Sequence, residues 1–484
     1  MMQNLIKSAV LTLFILLFVG ASPEKRPFNE VYRPQFHFTP AKNWQNDPNG
    51  LIWFEGEYHL FYQHNPFGNE RGYMNWGHAV STDLVHWEHL PVAITPDNDS
   101  RDKEHCTAWS GSAIIDQRNV TGLKEGDRPA MLIFYTSRQC GQRMAYSNDK
   151  GRTWLKYGAN PVIPFDEKDD ARDPKVFWYE PGQKYVMLLW RKPEGEESLQ
   201  GISFYSSVNL TDWKFESHLA GFYECPDLVE LPVNRRADDK RWVIFDGDGS
   251  YYIGAFDGKE FVPEGPKRKS DFGANYYATQ TWSNIPAGDG RVIQIAWMRG
   301  GNYPGMPFNG QMSFPCELSL VNTMGGIRLV RNPVGEIKTL HGKGFVMENR
   351  NLIPGLNKNP LKGQKGDCLH IIATFDLKSV NSFGFLLRNS RDATGTEIRY
   401  DATKKKINCL GQTADLVPED GKIMMEILVD RSSVELFCNG GKLVMSSCFN
   451  PEPGAEDLVL YNTGGELLVE KLEVYPLQSI YGGK

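Results

Sequence analysis

Trp44-Gln-Asn-Asp-Pro-Asn-Gly-Leu-Ile-Trp-Phe-Glu-Gly-Glu-Tyr-His-Leu-Phe-Tyr-Gln63 puts an acid in a Pro-containing break, then runs into an alternating apolar stretch that turns at Glu55-Gly-Glu57. Alternation with period two, bounded by Gly, Pro and Asn, is the mark of a strand hairpin. The same design returns downstream. Arg172-Asp-Pro174 leads into a run from Val176 to Trp190 that turns at Pro181-Gly-Gln183, and Glu224-Cys-Pro-Asp-Leu228 precedes a run from Trp242 to Phe256. Helical periodicity is almost absent, so the chain reads as all-β.

The hairpin units start near Asp47, Trp109, Asp173, Asp227 and Tyr277, at intervals of roughly 50–65 residues. A second pattern keeps step with the first: Ser81-Thr-Asp-Leu-Val-His-Trp87, Ser147-Asn-Asp-Lys-Gly-Arg-Thr-Trp154 and Ser207-Val-Asn-Leu-Thr-Asp-Trp213 each pass from a polar turn to a Trp. Five such units imply radial repetition, a five-bladed β-propeller spanning 30–335. Equivalent positions of a circular repeat face one axis. Asp47, Asp173 and Glu224, far apart in sequence, are therefore expected in one pocket. Grouped carboxylates suit glycoside chemistry, which uses one carboxylic acid and one carboxylate about the scissile bond. Past about residue 335 the acidic motif stops and a Gly/Asn/Pro/Lys-rich stretch from Asn351 to Gly366 intervenes. Closely spaced strands then return, read as a separate β-sandwich over 350–484.

Bulk properties narrow the function classes. At 484 residues the chain exceeds one core, and with 23% charged and 40% hydrophobic residues it is globular. A net charge of −6 argues against nucleic acid as a partner and suits a neutral substrate. Residues 1–21 read as a secretory signal: Lys7, an apolar run from Ala9 to Val19, and the small-residue site Val19-Gly-Ala21. That run is too short for a membrane span, so an extracytoplasmic protein, secreted or periplasmic, is expected, with no span left after cleavage. Eight Cys in a chain this long do not form a disulfide framework, and none has CxxC spacing; free buried thiols are expected.

Taken together, these blocks strongly resemble glycoside hydrolase family 32, the invertases, inulinases and levanases. Trp44-Gln-Asn-Asp-Pro-Asn-Gly50 is similar to the family's defining block. Phe61-Tyr-Gln-His-Asn-Pro66, Trp76-Gly-His-Ala-Val-Ser81, Trp109-Ser-Gly-Ser112, Arg172-Asp-Pro174, Glu224-Cys-Pro-Asp227, Tyr276-Tyr-Ala278 and Ile295-Ala-Trp-Met298 follow in order. The resemblance runs from Arg33-Pro-Gln-Phe-His37 to Asp430-Arg-Ser-Ser-Val-Glu435 and implies a propeller plus a sandwich. It also implies a retaining β-fructosidase with a covalent fructosyl-enzyme intermediate, acting on the terminal fructofuranosyl units of levan, inulin or sucrose. Asp47 would be the nucleophile, Glu224 the acid and then base, and Asp173 the stabiliser of the transition state. Glu224 must hold a proton before attack, a state that apolar neighbours and the like charge of Asp47 would favour. Trp44, Asn46, Gln63, Trp109, Ser110, Arg172, Tyr277 and Trp297 would bind sugar; Arg172 is also placed to pair with Asp47 or Asp173. No metal or cofactor is implied.

Two positions depart from the family pattern. Arg71 stands where relatives carry a Trp, with Tyr73 a partial replacement, and Cys316 stands where many carry Arg. Three other readings compete. A fructosyltransferase would use the same acids. A fructan-binding protein would lack one of them. A sialidase is pointed to by the Asp-box at 147–154, yet would need an arginine cluster and a Tyr nucleophile.

Overall fold

A computed structural model describes residues 28–98, 102–354, 359–390 and 396–481; the signal-like segment 1–21 lies outside them. The chain forms a five-bladed β-propeller followed by a β-sandwich. The blades are five sheets, four of four strands and one of five. Their opening strands are Asn43–Phe54, Ala108–Ile115, Arg172–Tyr179, Asp227–Pro232 and Tyr277–Thr281, the five unit starts read from the repeat. They stand around the axis: the first touches the second and the fifth, the second touches the third, and the fourth touches the fifth. Lys175 Nζ completes the ring at 2.8 Å from Asp227 Oδ1, a buried ion pair between blades 3 and 4.

The second repeat falls where each third strand turns into the fourth. Ser81, Ser147 and Ser207 end the strands Asn75–Ser81, Gly141–Ser147 and Gly201–Ser207, and their hydroxyls bond Asp83, Asp149 and Asn209. Those carboxylate or amide oxygens accept from the next backbone N–H groups, as in Asx turns. The following Trp side chains, Trp154 and Trp213, close the turns by donating to Gly151 and Leu210 carbonyls.

What aims the acids is irregularity at the axis. In blades 1, 2, 3 and 5 the register between first and second strand slips near the start, around Pro48, Ala108–Gly111, Arg172 and Tyr277–Gln280. A bulge bends the strand and re-aims its side chains, and such bulges gather beside active sites. In blade 1 this requires Gly50, whose φ is +55° and whose Cβ would sit 2.8 Å from the Phe61 ring.

The sandwich pairs a six-stranded sheet with a five-stranded one about a core of aliphatic and aromatic side chains such as Ile371, Phe375, Phe385 and Leu436. Its first strand is Phe345–Leu352, paired with Leu467–Pro476, so the Gly/Asn/Pro/Lys-rich stretch begins inside that strand. A buried ionic seam joins it to the propeller. Asp430 accepts from the backbone N–H groups of Gln35, Phe36 and His37, and the His37 ring lies 2.8 Å from both Asp430 and Glu435. Asp271 pairs with Arg331 and accepts from Ser446 across the same seam.

The cysteines correct one expectation. Cys106 and Cys140 form a disulfide, while the other six are free. Backbone bonds from Cys106 N to Arg138 O (2.8 Å) and from Arg138 N to Thr107 O (3.1 Å) set the two segments side by side.

Candidate active site

A cavity of about 190 Å³ opens where the first strands converge. Trp44, Asn46, Asp47, Gln63, Arg71, Trp109, Arg172, Asp173, Tyr223, Glu224, Tyr277, Trp297 and Arg299 line it. This is smaller than the roughly 300–1,000 Å³ of drug-sized pockets and suits a single sugar unit. Asp47, Asp173 and Glu224 reach it from blade 1, blade 3 and the break before blade 4. Asp173 and Glu224 hold φ of 62° and 56°, and Cys225 follows at 43°. Left-handed backbone at residues with a Cβ costs of order 1–3 kcal/mol each and collects at functional sites.

Each carboxylate has its own environment. Asp47 accepts from Ser110 Oγ at 2.6 Å and Gln63 Nε2 at 3.2 Å. Burial pushes its pKa up to about 6, against the Ser110 bond and with help from the charge of Glu224. Asp173 is pushed up to about 7 by burial, with Glu224 and Asp47 adding to the rise and Arg172 opposing it. Cys225 bridges the two: its N–H donates to Asp173 at 3.1 Å, and its Sγ lies 3.6 Å from both carboxylates. Burial and those neighbouring charges hold the thiol well above its usual range, so it stays a donor. Glu224 bonds the Arg172 guanidinium and the Tyr277 hydroxyl. Its neighbours are thus polar, not the apolar ones expected.

Of the residues expected to bind sugar, seven line the cavity and one does not. Ser110 is buried behind Asp47 with its hydroxyl committed to that carboxylate, which makes it a support for the acid. Gln63 does both, facing the cavity and donating to Asp47. Asn46 lines the cavity, and its Oδ1 is buried with no protein partner among the described residues. Trp297 packs edge-on against Trp44 and Tyr277, at 6.2 and 6.4 Å, giving an aromatic wall. Arg172 pairs with Glu224 and Asp170 and lies 3.9 Å from Asp173; Asp47 is not among its partners.

Tyr73 does not replace the missing Trp: it packs edge-on against Phe67, off the cavity. Arg71 itself fills the place, its guanidinium 5.3 Å from the Trp109 ring and 3.3 Å from Glu104. Cys316 is buried in a core cluster shared by propeller and sandwich, also off the cavity. Sequence reasoning assigned neither catalysis nor sugar binding to Tyr223 and Arg299, which line the pocket, or to Cys225. Tyr223 directly precedes the block that opens at Glu224, Cys225 lies within it, and Arg299 directly follows Ile295-Ala-Trp-Met298. Adjacency to the blocks was the signal that could have found them.

A closed propeller with three carboxylates, cations and aromatic walls around one sugar-sized cavity defines a glycosidase-like site. Comparison with known proteins agrees. The family model "Glycosyl hydrolases family 32 N-terminal domain" matches residues 37–333 and its C-terminal counterpart residues 336–476. The chain is 40% identical to a levanase of Bacillus subtilis (strain 168), over 98% of this chain and 75% of the relative. It is 31% identical to an extracellular exo-inulinase of Aspergillus awamori, over 94% and 96% respectively. The solved exo-inulinase structure from Aspergillus awamori superposes with a TM-score of 0.84 at 29% identity, covering 94% of this chain and 99% of that one. The chain belongs to glycosyl hydrolase family 32 and is a glycoside hydrolase.

Proposed function

We propose that this hydrolase removes terminal β-D-fructofuranosyl units from fructans, levan or inulin, and from sucrose, outside the cytoplasm. The observation that carries the reading is the convergence of Asp47, Asp173 and Glu224 from three blades on one cavity the size of a single sugar. Relatives named levanase and exo-inulinase support the substrate class. The Cys106–Cys140 disulfide supports an oxidising compartment.

In this mechanism Asp47 attacks the anomeric carbon of the bound fructosyl unit while Glu224 gives its proton to the leaving oxygen. The glycosidic bond breaks and a fructosyl–Asp47 ester forms. Glu224, now a carboxylate, takes a proton from water as that water attacks the same carbon and frees Asp47. Two inversions give retention. The positive charge that develops at the ring is met by Asp173, which touches neither proton transfer nor bond formation. Ser110, Gln63 and Cys225 aim Asp47 with three donors, and Tyr277 and Arg172 fix Glu224.

Product analysis on levan, inulin and sucrose tests the reading, with Asp47→Asn alongside. Fructose as the sole early product from the fructans, abolished in the variant, is expected. Early oligosaccharides would replace exo with endo action. Transfer of fructose to sugar in place of water would make the protein a fructosyltransferase, and binding without hydrolysis would make it a fructan-binding protein.

A further inference from the structure

His105, Cys106 and Cys140 meet at one corner of blade 2, where the loop before its first strand passes the turn between its second and third strands. One potential ligand atom from each, a ring nitrogen and two sulfurs, lies within 4.8 Å of the others. In this structure the sulfurs are joined. We infer that, once reduced, the two cysteines and His105 form a binding site for one zinc-type divalent cation. This corner then has two exclusive states, a disulfide and a metal dithiolate. The inference goes beyond the fructosidase reading and does not depend on it.

Donor geometry carries it. A tetrahedral zinc with Zn–S of about 2.3 Å and Zn–N of about 2.0–2.1 Å sets its nitrogen and sulfur ligands about 3.5 Å apart. His105 Nε2 lies 3.5 Å from Cys106 Sγ and 4.0 Å from Cys140 Sγ. The ring is also turned for the task. Its Nδ1 is 3.2 Å from the side-chain oxygen of Gln139, which only accepts, so in the neutral ring Nδ1 holds the hydrogen. Nε2 therefore presents its lone pair to the sulfurs. Zinc-binding histidines are held through their other nitrogen in the same way. The loop is fixed just before the ring, where Asp102 Oδ1 accepts from the Glu104 and His105 N–H groups, both at 2.9 Å.

The backbone keeps the two cysteines opposite each other by bonds of its own. Cys106 N–H donates to Arg138 O at 2.8 Å and Cys140 N–H to Ser137 O at 2.7 Å, and the Cα atoms stand 5.4 Å apart. Parting the sulfurs to roughly 3.8 Å, the spacing of a tetrahedral dithiolate, asks for side-chain rotation and not for backbone movement. The chemistry balances. A phosphine reduces the disulfide to two thiols and becomes its oxide, with oxygen taken from water. The thiols then release two protons as they bind the ion as thiolates, and two thiolates cancel the charge of a divalent cation. Glu104, the nearest acid in the loop, is already paired with Arg71 and Arg138. His105 is exposed and Cys140 partly so, which gives the ion a way in and leaves water the fourth position.

Cobalt(II) is the probe, because its thiolate charge-transfer and tetrahedral d–d bands report the ligands directly. The full chain is reduced with a phosphine under anaerobic conditions, freed of it, and titrated beside the unreduced chain and a reduced Cys140→Ser variant. One cobalt per reduced chain is expected, with thiolate bands that one equivalent of zinc abolishes. The unreduced chain and Cys140→Ser are expected to lack those bands. Gln139→Ala, which removes only the bond to Nδ1, is expected to weaken binding about tenfold. Absence of the bands in the reduced chain overturns the inference. So do bands of equal size in Cys140→Ser, which would assign the metal to the six free cysteines. If reduction unfolds the chain, zinc decides: one equivalent that refolds the parent and not Cys140→Ser supports the site, and failure to refold the parent overturns it.

Discussion

Two regions of this molecule bury carboxylates, and they treat them in opposite ways. At the seam between propeller and sandwich, Asp430 and Glu435 are fully enclosed, yet His37 lies between them and three backbone N–H groups point at Asp430. His37 is raised to about 9, its burial outweighed by the bonds and charges of the two acids, and those bonds hold Asp430 below its ordinary value. In the reaction pocket Asp47 and Asp173 are also buried, but Arg172, 3.9 Å from Asp173, is shared with Glu224 and Asp170, and Asp47 is not among its partners. There burial wins and both acids rise. The seam stabilises its charges. The pocket leaves them unpaid, ready for the positive charge of a transition state, and the difference separates a structural acid from a reactive one.

The sharpest way to break this contrast is to neutralise one charge in each region. Asp47→Asn keeps the shape and an acceptor for Ser110 and Gln63 while removing the nucleophile. A fall in kcat on the order of 10⁴-fold or more is expected, equivalent to at least about 5.5 kcal/mol of barrier. Activity retained at about a hundredth of the original, measured on sucrose, would take Asp47 out of the chemistry.

At the seam the expected loss is in folding, not rate. His37→Gln leaves two buried acids without their cation, a change worth about 3–5 kcal/mol. Denaturant titration should show it, with kcat of the folded enzyme unaltered. The pH dependence gives a second reading. A histidine raised from 6.5 to about 9 on folding contributes stability in full below pH 6.5 and loses it as pH climbs to about 9. The gap between parent and variant should therefore close over that window. A constant gap would mean that His37 acts by packing alone.

These two regions also differ in how plainly the sequence shows them. Unit starts at Asp47, Trp109, Asp173, Asp227 and Tyr277 were readable because period-two alternation and turn residues are local, and each start became the first strand of a blade. The three acids were readable because a repeat gives equivalent positions one direction. The blocks around His37 and Asp430–Glu435 could be seen as the two ends of the family resemblance, but not as partners, since about four hundred residues separate them. Cys106 and Cys140 stayed hidden for a related reason. No spacing motif joins them, and only the folded blade 2 brings their backbones together. Ser110 misled in the other direction: its block placed it at the pocket, and only geometry shows its hydroxyl spent on Asp47.

A third expectation turns the pocket's electrostatic cost into a stability measurement. Asp47 raised from 3.8 to about 6 means the folded state binds its proton more tightly than the unfolded state does. Stability is then lost as pH rises between those values, by up to about 3 kcal/mol at 1.36 kcal/mol per unit. Asp47→Asn should accordingly be more stable than the parent at pH 8, with the advantage shrinking towards pH 4. An Asp47→Asn protein that is less stable at pH 8 would place Asp47 with the seam acids, as a structural carboxylate.

The smallest effect is expected where a charge is neither enclosed nor trapped. Arg71 lines the reaction cavity, but its side chain is 53% exposed, its partner Glu104 is also partly open, and it meets Trp109 at 5.3 Å. Water screens such a pair to within about 0–1 kcal/mol, and an exposed cation–π contact adds only about 0.5–1 kcal/mol. Arg71→Ala should thus leave folding nearly unchanged and lower kcat/KM on fructotriose by about two- to fivefold, in KM more than in kcat. Raising the salt concentration should erase part of that difference, because exposed charges are screened beyond a Debye length of about 10 Å at 0.1 M. A loss as large as that of Asp47→Asn, insensitive to salt, would show that Arg71 is desolvated once substrate binds, and would place it with the pocket's buried charges.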